Sequence, residues 1–257
     1  MRLTEAGREY VAALEPAYRE MRRAALEIAD GGSTRKVTLS LSHSLAVGWL
    51  IPRLERFRVH HPGIDVTIQT VRTAEAIRSG DVDLGLCASD VDVAGLHVEH
   101  LLDISLTPVA CPRITAKIAN GTAAFEDYPL LGMTQHPDLW SWWAAEAGLR
   151  CGSLEEGGRF DVVHALYEAA AGGFGIALSI DVLVGPHLQS GRLVELGLPS
   201  VRYSGGYRLV ARASRMRNAA VSAFWNWLVE EGCTRPSESR PDRHPKPAPE
   251  IQRAAMG

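Results

Sequence analysis

The triplet Ser42-His43-Ser44 follows a short alternating apolar run and precedes a helical one. At such a strand-to-helix turn, backbone N–H groups and the positive end of the helix dipole attract an anion, and two hydroxyls add donors. The triplet therefore suits a carboxylate. It also suits a plainer role, in which Ser44 caps the helix and His43 packs. Thr70 and Arg72 close the second strand of the pattern, where Arg72 can pair with a carboxylate or stand solvated at a helix start. Cys87 ends the third strand. In the second half of the chain Gln135 follows a strand, Phe160 and Asp161 precede a helix, and Ser179 closes another strand. Asp161 reads first as a helix cap and second as a ligand contact.

None of these residues assembles into a catalytic set. Serine, histidine and aspartate are all present, but no G-x-S-x-G elbow occurs. Nine histidines are scattered. His97 and His100 stand an odd number of positions apart on an expected strand, so they face opposite sides and make a poor metal pair. Gly172, Gly173 and Gly175 follow a helix rather than opening one, the wrong context for a dinucleotide fingerprint. The four cysteines, Cys87, Cys111, Cys151 and Cys233, form no CxxC pair and read as buried thiols. Trp140, Trp142 and Trp143 crowd one helix start and read as packing. No catalytic residue, cofactor or metal is expected.

The elements that must position these residues begin with one long helix over the first thirty positions. Thr4 can cap it, with Glu5 in its first turn. Tyr10, Leu14, Ala17, Met21, Ala24 and Ile28 recur in steps of four and three, the period of a helix-pair seam. The alternative is a helix packed on its own domain. Pro16 removes one hydrogen bond and is expected to kink it. Gly31-Gly32-Ser33 ends the helix as a hinge.

An α/β pattern follows: strand Val37–Leu41, helix Leu45–His60, strand Ile64–Thr70, helix Ala74–Ser79 and strand Asp81–Cys87. This order implies a parallel sheet. Leu96–Leu102 and Ile104–Cys111 read as two further strands. A second lobe repeats the theme, with strand Leu130–Met133, helices Leu139–Ala147 and Val162–Ala171, strand Phe174–Leu178 and a helix that Asp181 can cap. Tyr207–Ala211 is the return strand, and Asn218–Glu230 a final amphipathic helix. The expected domains are a dimerising helix at 1–30 and a two-lobed domain at 34–232. Lobe I takes about 34–104 and 206–232, and lobe II about 105–205.

With 46% hydrophobic and 22% charged residues the chain has the balance of a globular protein. A net charge of −3 gives no bulk attraction to nucleic acid. No apolar run approaches the roughly 20 residues that span a membrane, and the first ten residues have no apolar core of a signal peptide. The expected location is cytoplasmic, without a membrane partner. Five of the fourteen prolines fall in residues 233–257, which are expected to be a disordered tail.

Taken in order, these pieces resemble a LysR-type transcriptional regulator, closest to the subgroup typified by the glycine-cleavage activator. Leu3-Thr4-Glu5-Ala6-Gly7 resembles the LTxAG segment with which that family leaves its winged helix-turn-helix and enters its linker helix. The stretch His43 to Leu54 is similar to the first strand-to-helix turn of the sensing domain. FRVHHPGID, Phe57 to Asp65, resembles the FxxxHPxI turn. Gly80 to Leu86 resembles a G-x-x-D-x-x-I strand, and Ala170 to Ala177 an AxxGxGIA element. The resemblance covers about residues 3–232. It implies a fold of two Rossmann-like lobes, like the type 2 periplasmic binding proteins, behind a linker helix. It also implies a small-molecule effector, a homodimer or homotetramer, and control of transcription. Ser42, His43, Ser44, Thr70, Arg72, Cys87, Gln135, Phe160, Asp161 and Ser179 would then face a cleft between the lobes. The family's recognition helix lies upstream of the LTxAG segment. Residues 1–7 are thus read as the end of a head that is otherwise missing, so that DNA contact would need that head. The competing readings are a solute-binding protein of a transport system, which needs an export signal, and an enzyme on the same fold.

Overall fold

A computed structural model of the chain describes residues 4–29, 35–70, 73–149 and 157–233. Arg72, the 31–33 hinge and the tail from residue 234 onward lie outside these. Helix α1 spans Glu5–Ala29 and continues as one element on both sides of Pro16. Thr4 caps it: the Gly7 N–H donates to Thr4 Oγ1 at 3.2 Å. Of the seam, Tyr10, Leu14, Ala17 and Met21 are exposed, as are the adjoining Val11 and Tyr18. Ala24 and Ile28 sit on helical backbone, but their side chains lie outside the description.

The described residues, α1 included, fall into two compact units. One takes the described residues up to Ser42, Leu50–Leu102, and those from Gly205 onward. The other takes His43–Trp49 and Asp103–Ser204. In the first unit β1 (Arg35–Ser40) pairs in parallel with β2 (Ile64–Gln69), Arg35 facing Ile64 and Ser40 facing Gln69. Strand β3 (Leu84–Ala88) lies parallel on the other side of β1.

The helix expected over 45–60 is divided into α2 (His43–Leu45), a π turn (Ala46–Leu50) and α3 (Ile51–His60). Pro52 supplies the reason. It has no N–H for the i−4 carbonyl, and its ring crowds that carbonyl, so the backbone widens locally. Helix α4 (Thr73–Ser79) precedes β3. The aspartate of the G-x-x-D motif, Asp83, is buried. It accepts the Thr38 N–H at 2.8 Å and the Arg215 Nε–H at 2.6 Å, tying β1 to a turn far along the chain.

Where two strands were expected, one continuous strand β4 runs from His97 to Ala110 and carries the chain out of the first unit. Exposed Asp103, paired with Arg202 at 2.6 Å, occupies its solvent side without breaking it. In the second unit α5 (Pro112–Ala119), which the pattern did not announce, starts on the proline. Then come β5 (Leu130–Met133), α6 (Leu139–Ala147), β6 (Arg159–Phe160), α7 (Val163–Ala171), β7 (Ile176–Ile180), α8 (Asp181–Gln189) and β8 (Val194–Glu195). β5 pairs in parallel with β6 and β7, while β7 and β8 pair antiparallel with β4.

Strand β7 begins two residues later than expected, because Phe174 is exposed on the glycine turn before it. Gly175 is required there, since a Cβ would collide with the Pro129 carbonyl. Trp140 and Trp143 are buried edge to face, 5.6 Å between centroids, in a core that also holds Leu106, Phe125 and Ile176. Strand β9 (Val201–Ala211) returns the chain to the first unit, antiparallel to β3. There α9 (Ala219–Cys233) packs Phe224 and Trp227 against Phe57, at 4.7 and 5.1 Å.

Candidate functional site

A cavity of about 240 Å³ lies wholly within the second unit. Helices α7 and α8 form two of its walls, and the turn from Ser44 to Gly48 forms the third. Gly48 sets how closely that turn approaches. A Cβ there would stand 2.7 Å from the Leu183 carbonyl oxygen, so only glycine lets the backbone lie against α8.

Helix α7 has no side-chain cap of its own at Val162. The missing acceptor comes from Ser44, whose Oγ accepts the His164 N–H at 3.1 Å across 120 positions of sequence. Three imidazoles gather around this contact. The His43 and His164 rings are 5.6 Å apart, the His164 and His187 rings also 5.6 Å, and Tyr167 stands edge-on to His187 at 5.5 Å. The Tyr167 hydroxyl accepts the Ile180 N–H at 2.7 Å, fixing its ring against the end of β7.

The cavity's two formal charges neutralise each other. Arg192 donates to both carboxylate oxygens of Glu168, at 2.7 and 2.6 Å, and this bond holds the Glu168 carboxyl below its usual range. His187 is buried, which pushes its imidazole below the ordinary value, and its Nδ1 is buried without a hydrogen-bond partner. The groups offer hydrogen bonds, an aromatic wall and a compensated ion pair, which is the chemistry of binding. Among the described residues no group of three or more histidine, cysteine or acidic side chains is placed to hold a metal.

The structure distributes the sequence-derived candidates unevenly. Ser42 and His43 are exposed and Ser44 is buried. Thr70 is exposed just beyond β2. Cys87 is packed with Ile77, Val82 and Val210, and burial pushes its thiol up against the opposing effect of Arg208. Gln135 Nε2 donates to the Asp161 carbonyl at 3.0 Å, and the Thr134 N–H donates to the Phe160 carbonyl at 2.8 Å. Asp161, expected to cap α7, contributes no side-chain cap. Ser179 is buried, its Oγ donating to the Thr107 carbonyl at 2.8 Å. His164, Glu168, His187 and Arg192 were not singled out from sequence. The i,i+4 spacing of His164 and Glu168 was the one local signal available.

The fold and this site can be set beside known proteins. Residues 30–233 match the LysR substrate binding domain. The chain is 27% identical over 240 residues to the glycine cleavage system transcriptional activator of Escherichia coli K12, covering 93% of this chain and 78% of that protein. It is 31% identical over 207 residues to the HTH-type transcriptional activator AmpR of Pseudomonas aeruginosa, covering 80% and 69%. Among solved structures, the effector domain of that AmpR matches with a TM-score of 0.67 at 28% identity, covering 77% of this chain and 96% of that domain. These relatives are transcriptional regulators, not enzymes. The chain therefore belongs to the LysR family of transcriptional regulators, with residues 30–233 as its substrate binding domain.

Proposed function

We propose that this chain senses a small anionic effector at the Ser42–Ser44 turn and relays the binding to transcription through paired α1 helices. The sensing half rests on one observation. Ser44 Oγ accepts the His164 N–H, which leaves its own hydroxyl hydrogen to donate. Exposed Ser42 and His43 stand beside it, where the helical run from His43 to His60 begins. A carboxylate at that point would meet a helix start and two hydroxyls, and Ser44 would couple it directly to α7. Thr70, Arg72, Cys87, Gln135, Phe160, Asp161 and Ser179 remain the further contacts that the family resemblance suggests.

The dimerising half is supported by α1, a helix about 37 Å long. Its Tyr10, Leu14 and Met21 are exposed at 67%, 46% and 72%, an apolar line with nothing of its own unit covering it. A second copy of the same seam is the natural cover. The sequence-derived domain limits, a helix at 1–30 and a sensing domain at 34–232, are proposed with this reading.

A thermal-shift screen of small carboxylates tests the first half, with each variant measured against its own unliganded baseline. Ser42→Ala and Ser44→Ala are expected to reduce the shift. An unchanged response in both removes the anion site. Sedimentation equilibrium tests the second half, and a strictly monomeric chain at micromolar concentration refutes the seam.

A further inference from the structure

We propose that the cavity bounded by α7, α8 and the Ser44–Gly48 turn is a separate ligand site. It would take a small uncharged molecule carrying a hydroxyl on an apolar ring, with His187 Nδ1 as its hydrogen-bonding partner. This goes beyond the effector reading, which concerns an anion at the Ser42–Ser44 turn.

Three features of the cavity select that chemistry. The first is His187. It is 6% exposed, it lines the cavity, and its Nδ1 is buried with no partner. A buried polar atom left unpaired is costly and uncommon in folded proteins. His187 lines a space of about 240 Å³, several times the roughly 30 Å³ share of one water. A hydroxyl satisfies Nδ1 in either imidazole tautomer, because it both donates and accepts.

The second feature is charge. Glu168 and Arg192 are bonded to each other through both carboxylate oxygens. His164 Nε2 lies 4.0 Å from Glu168 Oε1, and burial pushes the His187 imidazole below its ordinary value. An entering carboxylate would find its arginine taken, and an ammonium would find its carboxylate taken. The lining therefore offers neither ion a net opposite charge. The third feature is the wall itself. The rings of His164 and Tyr167 stand 5.6 and 5.5 Å from that of His187, and Leu183 and Pro186 also line the cavity. That surface suits the face or edge of an aromatic ring.

Phenol, toluene and benzoate serve as probes, because they share a ring and differ in the polar group. Nitrogen-detected NMR on imidazole-labelled protein reads the contact directly. Phenol at millimolar concentration is expected to shift the His187 Nδ1 resonance, toluene to bind more weakly, and benzoate to leave that resonance in place. His187→Leu is expected to weaken phenol about three- to tenfold, the worth of one net hydrogen bond. Should that variant fold poorly, the wild-type resonance still decides the matter. Ser42→Ala, which probes the anion turn, should leave phenol binding unchanged, so the two proposals fail independently. A His187 resonance unmoved by phenol, or equal phenol affinity in His187→Leu, overturns the assignment.

Discussion

Replacing Ser44 by alanine should destabilise a helix 120 positions away in sequence. The substitution removes the oxygen that accepts the His164 N–H at 3.1 Å. Nothing on α7 can replace it, because its own cap residue, Val162, supplies no side-chain acceptor. Ser44 is 8% exposed, so water enters the gap poorly. Alanine at a capping position costs about 1 kcal/mol and up to about 2, and a stranded, part-buried N–H costs about 1–3 kcal/mol. The loss should thus be about 1–2 kcal/mol. For a domain of this size it corresponds to a fall in Tm of about 2–8 °C. Hydrogen exchange gives the sharper reading, because it reports the His164 amide itself. If that amide exchanges by local opening, the same free energy accelerates it roughly five- to thirtyfold. Ser44→Thr keeps the acceptor and should keep most of the protection. Unchanged His164 exchange in Ser44→Ala, with stability within about 0.3 kcal/mol of wild type, would refute the capping role.

Three further outcomes are expected. Asp83→Leu leaves Arg215 buried without its carboxylate and removes the acceptor of the Thr38 N–H. It should cost about 3–5 kcal/mol by urea denaturation, and a change under about 1 kcal/mol would contradict it. His187 is held below its ordinary value by burial, so the unfolded chain takes up the proton first. Stability should therefore fall as pH drops below about 6.5 and continue falling until the folded value is passed. In His187→Phe that part of the profile should flatten, and an identical slope in both proteins would count against it. Leu14→Arg places a charge in the exposed α1 seam and should shift the chain toward monomer in sedimentation. Unaltered association would exclude this face as the contact.

Much of the fold was legible because its signals are local. The long α1 helix, the Thr4 cap, the parallel β1–β2 pairing and the crowding of tryptophans on α6 all follow from spacing over a few residues. Local reading failed where one residue outweighed the pattern. Pro52 turned an expected helix into α2, a π turn and α3. Two strands were expected on either side of Asp103, but Asp103 lies on the solvent side of a continuous β4. The glycines of the AxxGxGIA element were visible as a motif, yet the approach of Pro129 that requires Gly175 was not.

At the candidate site, the amino-acid order determined that Ser42, His43 and Ser44 would stand at a strand-to-helix turn, and which family that turn resembles. Only the tertiary structure decided what the turn touches. It joined Ser44 to His164, seated Gly48 on Leu183, bound Arg192 to Glu168 and buried His187 with an unsatisfied nitrogen. It likewise gave Asp83 its partner Arg215, 132 positions away. Periodicity reports which face of an element is apolar. It carries no information about which distant element will meet that face, so partners chosen by packing become visible only once the chain has folded.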